Sequence, residues 1–178
     1  TDNPNTLKWE NCMMDPTIHL EELSMSPLPI EIPGQLKVNI KATFGREIPN
    51  IIAEVDLRRL TYFDFSIPIP CLNNLGSCTY RDVCSLIKQD NDFVAEARRM
   101  FMAGGMPPQC PFPKKTINIK DYTLTIPPLD YSILAYAVAG DYRIETRFID
   151  QSNSQQVGCV TMEVTLGGRS KGPSLVPT

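Results

Sequence analysis

Six cysteines and a single histidine are the residues of this 178-residue sequence whose types could do chemistry. No two of the cysteines form a C-x-x-C pair, and a structural zinc site needs cysteine and histidine ligands clustered at short spacings. An even number of unclustered cysteines favours three disulfides formed in an oxidising compartment. The alternative is six reduced, buried thiols in a cytosolic protein. The six are Cys12, Cys71, Cys78, Cys84, Cys110 and Cys159.

Catalysis by a serine or cysteine nucleophile would depend entirely on His19, because the sequence has no other histidine. We interpret His19 as an exposed residue of a strand. The sequence contains no nucleophile elbow, zinc-protease motif, P-loop or dinucleotide-binding motif. The sequence has 20 acidic residues, but it marks no two of them as the pair of catalytic carboxyl groups that a glycosidase needs. The sequence therefore predicts a protein that is not an enzyme and that needs neither a metal nor another cofactor.

The charge balance and the hydropathy pattern exclude two further classes. Seventeen basic and 20 acidic residues give a net charge of -3, whereas a nucleic-acid-binding protein normally carries a basic excess on one face. No stretch approaches the roughly 18–20 apolar residues that a membrane-spanning helix needs. We therefore expect a soluble chain without a nucleic-acid partner. It begins at Thr1 with neither Met nor an apolar leader, which fits a mature secreted chain or an engineered one.

Alternation of apolar and polar residues predicts that the chain is all-β. In residues 36–44 every second side chain is apolar or small, which is typical of a half-buried strand. Sixteen prolines, many of them just outside the apolar runs, mark strand ends and turns. Short strands at regular spacing indicate a sandwich or a barrel. Further strands are predicted over residues 52–60, 62–69, 116–126, 142–149 and 160–166, and one helix over residues 91–102.

Three stretches carry large apolar side chains but lack the boundaries of core strands. One interpretation is that they fill the core; the other is that they form the rim of a lipid cavity or touch a membrane. Methionine suits such a rim because it is flexible and polarizable. We place the lipid entrance at the second and third stretches, with the first as a third lip. The candidate lipid-binding residues are Tyr62, Phe63 and Phe65 in the first stretch, Phe93, Met100, Phe101, Met102 and Met106 in the second, and Leu129, Tyr131, Ile133, Leu134, Tyr136 and Val138 in the third.

Several local motifs point to one family. They include Trp9-Glu10-Asn11-Cys12, Gly76-Ser77-Cys78-Thr79-Tyr80, Cys110-Pro111-Phe112 and Gly158-Cys159. Through these motifs, residues 9–166 resemble the ganglioside GM2 activator family of the ML lipid-recognition superfamily. The resemblance implies an all-β fold, a two-sheet β-cup or immunoglobulin-like sandwich that encloses an apolar lipid cavity, with one short helix in a loop. It also implies the disulfides Cys12–Cys159, Cys71–Cys78 and Cys84–Cys110.

The resemblance further implies a non-catalytic lipid-binding and lipid-transfer protein, secreted or lysosomal, that lifts gangliosides from membranes and presents them to a hexosaminidase. The implied partners are a glycolipid, a phospholipid or another apolar ligand, a transient membrane surface and a glycosidase. Two alternatives remain open: a secreted carrier of a pigment, sterol or pheromone, and a lipid-recognition module in immunity. We expect residues 1–168 to form a single ML-type domain, followed by a flexible tail or expression scar at residues 169–178.

The sequence departs from the family pattern between Cys84 and Cys110. The family has a further cysteine pair in this segment, and the corresponding residues here are Ala97 and Pro108. We therefore expect this segment to move more freely than in the family. The family's glycosylation sequon is also missing. Both departures indicate a divergent member, for which the lipid-binding fold is better supported than ganglioside specificity.

Overall fold

The computed structural model describes residues 6–128 and 139–167. Within these ranges the chain forms nine strands, two α-helices and one 3-10 turn. The strands are β1 (Lys8–Asn11), β2 (Ile18–Ser26), β3 (Gly34–Phe44), β4 (Ile51–Leu60), β5 (Ser66–Pro68), β6 (Thr79–Tyr80), β7 (Lys115–Ile126), β8 (Gly140–Asp150) and β9 (Gln155–Leu166). The helices are α1 (Val83–Leu86) and α2 (Asp92–Ala103), and the 3-10 turn covers Tyr62–Asp64.

The strands form two antiparallel sheets. The six-stranded sheet has the order β1-β9-β8-β4-β5, and β6 also pairs with β4. The three-stranded sheet has the order β2-β3-β7. The predicted all-β fold of two sheets is thereby confirmed, and the helix predicted over residues 91–102 corresponds to α2.

Alternation along β3 shows why the sheets face each other. Leu36, Val38, Ala42 and Phe44 are buried, and they pack with Ile117 of β7 in the main core cluster. The intervening residues of β3 are more exposed. Burial of one face of a strand fixes its register, since a slip of one residue would turn the apolar set toward water.

A β-bulge interrupts the pairing of β3 with β7 near the middle of both strands. The register shifts between Val38 and Ile40, and Asp121 on β7 takes a left-handed conformation with φ of 49°. The Asp121 backbone N–H donates to the Asn39 side-chain oxygen at 2.9 Å. Because a bulge increases local twist and bends the strand, it curves the smaller sheet.

One side of the sandwich is closed where β1 approaches β2. A disulfide joins Cys12 to Cys159. Beside it, the Asn11 side-chain amide donates to the Leu20 backbone oxygen at 2.8 Å and accepts from the Leu20 backbone N–H at 3.1 Å. The disulfide fastens β1 to β9 within the six-stranded sheet. The Asn11 side chain pairs with both backbone groups of a residue in the other sheet, so these hydrogen bonds hold the two sheets together on this side.

The helix α2 lies against β7, the edge strand of the smaller sheet. The Thr125 backbone N–H donates to the Glu96 carboxylate at 2.9 Å, and this bond is the main reason that the pKa of Glu96 is lowered. After the helix, the Asn118 backbone N–H donates to the Gly104 oxygen at 3.0 Å. A Cβ atom on Gly104 would lie 2.5 Å from Cγ1 of Ile119, so this close approach requires glycine.

The short helix α1 is held at the start of β4 by one asparagine. The Asn50 side-chain oxygen accepts from the backbone N–H groups of Ile51 at 2.8 Å and Cys84 at 3.0 Å. Its amide nitrogen donates to Asp82 at 2.8 Å, and Asp82 caps α1 by accepting from the Ser85 backbone N–H. These bonds lower the pKa of Asp82. The disulfide Cys84–Cys110 then joins α1 to the segment that follows α2.

The turn between β8 and β9 is built on a buried carboxylate. Asp150 is 1% exposed, and its side chain accepts from the Ser152 hydroxyl at 2.6 Å and from the Ser152 backbone N–H at 2.9 Å. A guanidinium nitrogen of Arg46 lies 2.9 Å from the other carboxylate oxygen. These contacts, led by the Ser152 hydroxyl, lower the pKa of Asp150.

One local prediction is wrong, and one short element was not predicted. Residues 62–69 do not form one strand: Tyr62–Asp64 is a 3-10 turn, and only Ser66–Pro68 pairs with β4. The reason is a reversal of the chain at Phe63, whose φ of 65° is incompatible with a strand. The helix α1 was also not predicted, because four residues are too few to show helical periodicity.

No helix among the described residues is long and apolar enough to cross a membrane.

Candidate functional site

An apolar cavity of about 290 Å³ lies at the end of the sandwich where β4 begins. Both sheets contribute to its wall, through Phe44 of β3, Ile51 and Ala53 of β4, and Phe148 of β8. Phe112 closes the cavity from the segment after α2. It stacks on Phe44 with ring centroids 6.2 Å apart, and its backbone pairs with Ile48 in both directions. The inner wall is therefore firmly supported by the core.

The two helices and the segment after them form the outer wall of this cavity. Because an α-helix has 3.6 residues per turn, residues of α2 three or four positions apart share the face that meets the cavity. The outer-wall residues are Val83, Leu86, Ile87, Val94, Ala97, Arg98, Phe101, Met102, Met106, Pro107 and Pro108. Among the lining residues that belong to the described part of the chain, Arg98 alone is of a charged type.

A second cavity of about 330 Å³ adjoins the first. Leu86, Val94 and Ala97 line both cavities, so these three side chains form the partition. Beyond the partition the second cavity has an apolar part and a polar part. Its remaining lining residues are Asn73, Asn74, Leu75, Tyr80, Asn91 and Phe93. The Tyr80 hydroxyl donates to the Asn74 backbone oxygen, and burial raises the pKa of Tyr80.

The outer wall is thin between α2 and Pro108. Met102, Met106, Pro107 and Pro108 line the apolar cavity and also an open depression on the protein surface. Phe101, beside them, is 38% exposed while it lines the cavity. A single layer of side chains thus separates the apolar cavity from solvent here, whereas the opposite wall is packed core.

The residues of the second predicted stretch lie in different parts of the structure. Phe101, Met102 and Met106 line the apolar cavity, and Phe93 lines the second one. Met100 lines neither of these cavities; it is buried in the main core cluster, because its position on α2 faces the sheet. Ala97 and Pro108, where the resemblance led us to expect the positions of the family's further cysteine pair, both line the apolar cavity.

The first predicted stretch lies far from this cavity. Tyr62, Phe63 and Phe65 occupy the tip that follows β4, whereas the cavity lies where β4 begins. Ten residues of strand separate the two positions, which at 3.3 Å per residue is about 30 Å. Phe63 is 89% exposed, and Tyr62 and Phe65 are also exposed. The structure therefore does not bring this stretch together with α2.

The third predicted stretch lies outside the described residues, together with the residues beyond 167. This applies to Leu129, Tyr131, Ile133, Leu134, Tyr136 and Val138. Ala139, the first described residue after them, lies at the far end of β4, where its backbone oxygen accepts from Arg59 at 3.0 Å.

Sequence reasoning missed most of the cavity wall. Phe44, Phe112 and Phe148 have the pattern of core residues, and nothing in that pattern distinguishes a side chain that packs against another from one that lines a space. Val83 and Leu86 were missed with α1 itself. The Asp82 cap before Val83 is the one signal that could have indicated the short helix.

No group of three or more His, Cys, Asp or Glu side chains in residues 6–128 and 139–167 could hold a metal ion. His19 is an exposed residue of β2, as expected. The three disulfides, Cys12–Cys159, Cys71–Cys78 and Cys84–Cys110, join the pairs that the resemblance implies.

Comparisons with known proteins agree with this architecture. The sequence profile of the ML domain family matches residues 6–166. Ganglioside GM2 activator from Mus musculus is 28% identical over 165 residues, covering 90% of this chain and 82% of the mouse protein. The Ganglioside GM2 activator of Macaca fascicularis is 25% identical over 165 residues, covering 92% of this chain and 84% of the macaque protein.

The chain is also similar to the crystal structure of a Niemann-Pick type C2 protein from Japanese carpenter ant. It has a TM-score of 0.47 and 17% identity, and covers 89% of this chain and 98% of that chain. Because the family profile spans nearly the whole sequence, this chain belongs to the ML domain family.

Proposed function

We propose that this protein binds lipid and transfers it, with the apolar cavity beneath α2 as the site that receives an acyl chain. The observation that carries this proposal is a cavity lined by both sheets and both helices, whose described lining residues are all uncharged except Arg98. An acyl chain gains about 0.8 kcal/mol for each CH₂ group that leaves water, so a chain does not leave a bilayer unaided. A dry cavity offers it an environment of similar polarity, and no covalent chemistry is required.

The lipid enters through the thin part of the outer wall. Met102, Met106, Pro107 and Pro108 separate the cavity from the surface depression, and Phe101 is partly exposed beside them. Methionine side chains adapt to varied apolar shapes, which suits a wall that must part and reclose. Ala97 and Pro108 support the same view, because no disulfide ties these two wall residues together.

The exposed aromatic tip provides a separate membrane contact. Tyr62, Phe63 and Phe65 extend from one end of the six-stranded sheet, and they are too far from the cavity to line it. Tyrosine and other aromatic rings favour the boundary between headgroups and acyl chains. We assign the tip to transient membrane attachment while the lipid is transferred.

Ganglioside as the particular lipid, and a hexosaminidase as the partner that receives it, are the finer form of this proposal. Two relatives named Ganglioside GM2 activator support it, at 25–28% identity over most of the chain. A secreted or lysosomal location is supported by the three disulfides, which persist in oxidising compartments. Measuring ganglioside hydrolysis by a hexosaminidase with and without this protein tests the finer form.

The variant Ala97→Trp tests the cavity. An indole at Ala97 would fill space in both cavities, because Ala97 belongs to their partition. Ala103→Trp is the matched control, since Ala103 is exposed on the same helix and lines neither cavity. We expect transfer of a fluorescent phospholipid between vesicles to be lost in Ala97→Trp and retained in Ala103→Trp. Retained transfer in a folded Ala97→Trp protein would refute the cavity as the lipid site.

The variant Phe63→Ser tests the tip. Met14→Ser is the control, because Met14 is equally exposed but lies between β1 and β2. In vesicle flotation, Phe63→Ser should reduce the membrane-bound fraction, whereas Met14→Ser should not. Equal flotation of both variants would remove the tip from the proposal.

Binding of the wild-type protein to anionic vesicles should increase from about pH 7 to about pH 4.5, because the net negative charge of the protein falls over this range.

A further inference from the structure

The two cavities that Leu86, Val94 and Ala97 separate differ in the chemistry of their surfaces. The surface of the apolar cavity is almost entirely carbon. Arg98 contributes only its aliphatic stem to this surface, since its guanidinium donates to two backbone oxygens of the α1–α2 connection. The second cavity differs, because polar atoms form part of its surface. An apolar end and a partly polar end thus lie on the two sides of one partition.

A tight turn carries two of the polar residues of the second cavity. Asn73 and Asn74 both have positive φ, of 51° and 64°, and the backbones of Leu72 and Leu75 pair in both directions around them at 2.7 and 2.9 Å. Two consecutive left-handed residues are typical of a type I′ turn, in which asparagine is favoured. The disulfide Cys71–Cys78 closes the same loop. The backbone that carries both asparagines is therefore held in place before any ligand arrives.

The polar groups of the second cavity can both donate and accept hydrogen bonds. Among the described residues the Asn74 side-chain amide has no hydrogen-bond partner, so it offers N–H donors and a carbonyl acceptor. The Tyr80 hydroxyl donates to the Asn74 backbone oxygen, and its own oxygen remains able to accept. No described lining residue of this cavity is of a charged type. These groups match hydroxyl groups, which also donate and accept, whereas a phosphate or a carboxylate would lack a cation.

The partition between the cavities is low at Ala97, which contributes only a methyl group. Val94 and Ala97 belong to α2, and the C-terminal part of the same helix carries Phe101 and Met102 of the thin wall. Outward movement of α2 would therefore open both cavities together. A lipid admitted in this way lies lengthwise, with one end on each side of the partition.

We propose that the second cavity binds an uncharged head group with several hydroxyl groups, while the acyl chain of the same lipid fills the apolar cavity. This inference rests on the proposed function and specifies the head of its ligand. A volume of about 330 Å³ lies near the lower end of the roughly 300–1,000 Å³ typical of small-molecule sites, so the head is small. A glycerol and a single sugar ring share this chemistry, and Asn74 and Tyr80 bind their hydroxyl groups.

Displacement of a fluorescent fatty-acid analogue from the purified chain provides the test. The competitors are dodecanol, monolauroylglycerol, dodecyl glucoside and dodecyl phosphate, which carry chains of equal length and differ in the head. Monolauroylglycerol, dodecyl glucoside or both should bind about tenfold more tightly than dodecanol, which corresponds to about 1.4 kcal/mol. Comparison of these two shows whether the head is a glycerol or a sugar. Dodecyl phosphate should bind no more tightly than dodecanol.

Two variants remove polar groups of the second cavity. Asn74→Gly removes the amide but keeps the turn, because glycine adopts positive φ without strain, and Tyr80→Phe removes the hydroxyl. In each variant the preference for the hydroxyl-bearing head over dodecanol should fall about threefold or more, as expected for the loss of one hydrogen bond. Ser154→Gly is the matched control and should keep the full preference. Ser154 also has positive φ, 60°, but it lies in the turn between β8 and β9.

The possible results separate the two proposals. If neither hydroxyl-bearing competitor binds more tightly than dodecanol, or if dodecyl phosphate binds more tightly than both, the inference about the head is refuted and lipid binding stands. The same conclusion follows if Asn74→Gly keeps the full preference. If no competitor displaces the probe, the cavities are refuted as a lipid site, and the proposed function is refuted with them. Tyr80→Phe also loses its bond to the loop, so its fold is checked by circular dichroism; should it not fold, Asn74→Gly decides.

Discussion

Replacing Phe101 with alanine tests whether this ring is part of the lipid entrance or part of the core. Phe101 lines the apolar cavity, yet it is 38% exposed. Phe112 lines the same cavity at 7% exposure and stacks on Phe44. The two phenylalanines therefore form a matched pair, in which one ring is at the thin wall and the other is at the packed wall.

The expected loss of stability follows from burial. Complete burial of a phenylalanine side chain stabilises a fold by about 1.5–3 kcal/mol. Because about three-fifths of Phe101 is buried, Phe101→Ala should lower the free energy of unfolding by about 1–2 kcal/mol. In a chain of this length that corresponds to a fall in melting temperature of about 2–8 °C. Phe112→Ala should cost about 3–5 kcal/mol, since it also leaves a void in packed core.

For lipid transfer the order of the two variants should be reversed, so that Phe101→Ala slows transfer more than Phe112→Ala does. Removal of the Phe101 ring takes away apolar contact with the entering chain, and a loss of about 1 kcal/mol would slow transfer about fivefold. The assay is transfer of a fluorescent phospholipid between vesicles, with melting temperature measured on the same samples. If Phe101→Ala is as destabilising as Phe112→Ala and the folded fraction transfers lipid at the normal rate, Phe101 is a core residue and the entrance lies elsewhere.

Asp150→Asn should lower the free energy of unfolding by about 1.5–3 kcal/mol at neutral pH, because it weakens charge-assisted bonds to a buried group. Since the pKa of Asp150 is lowered in the fold, the difference in the free energy of unfolding between wild type and Asp150→Asn should persist down to about pH 5 and shrink only below about pH 4. Denaturant titrations across this pH range measure that difference. A difference that stays constant down to about pH 3 would contradict the reasoning. Glu96→Ala should accelerate hydrogen exchange of the Thr125 amide about tenfold without affecting the Ile117 amide of the same strand. Exchange that is unchanged at Thr125 would show that Glu96 does not fasten α2. Serine at both Cys84 and Cys110 should lower the free energy of unfolding by about 3–4 kcal/mol, as the loop-entropy relation gives. Denaturant titration measures this loss. A loss below about 1 kcal/mol would show that the other bonds of α1 hold it in place without the disulfide.

The strands were predictable wherever one face of the chain is buried. Residues 36–44 alternate cleanly because β3 is the central strand of its sheet, and the structure extends this strand only to Gly34. The tip at Tyr62–Asp64 was not predictable in the same way. Aromatic residues favour strands, and the reversal depends on a left-handed residue, Phe63, whose type gives no sign of it.

The cavity was predictable only in outline. The resemblance implies an apolar space between two sheets, and Phe101, Met102 and Met106 line such a space in the structure. The contribution of α1 could not be predicted, since its position depends on Asn50, a residue 33 positions before Val83 that bonds to Ile51 and Cys84. Long-range polar contacts of this kind leave no local pattern in a sequence.

The hydrogen bonds between Asn11 and Leu20 have a consequence for the behaviour of this protein at high concentration. The strand β2 lies at the edge of its sheet, and an exposed edge is a template on which a strand from another molecule can add. The Asn11 amide occupies the outward N–H and C=O groups of Leu20, and the adjacent register shift between Leu20 and Glu22 breaks the regular spacing of the groups that follow. An incoming strand therefore finds no continuous row of partners, so the same side chain that joins the sheets also opposes aggregation through this edge.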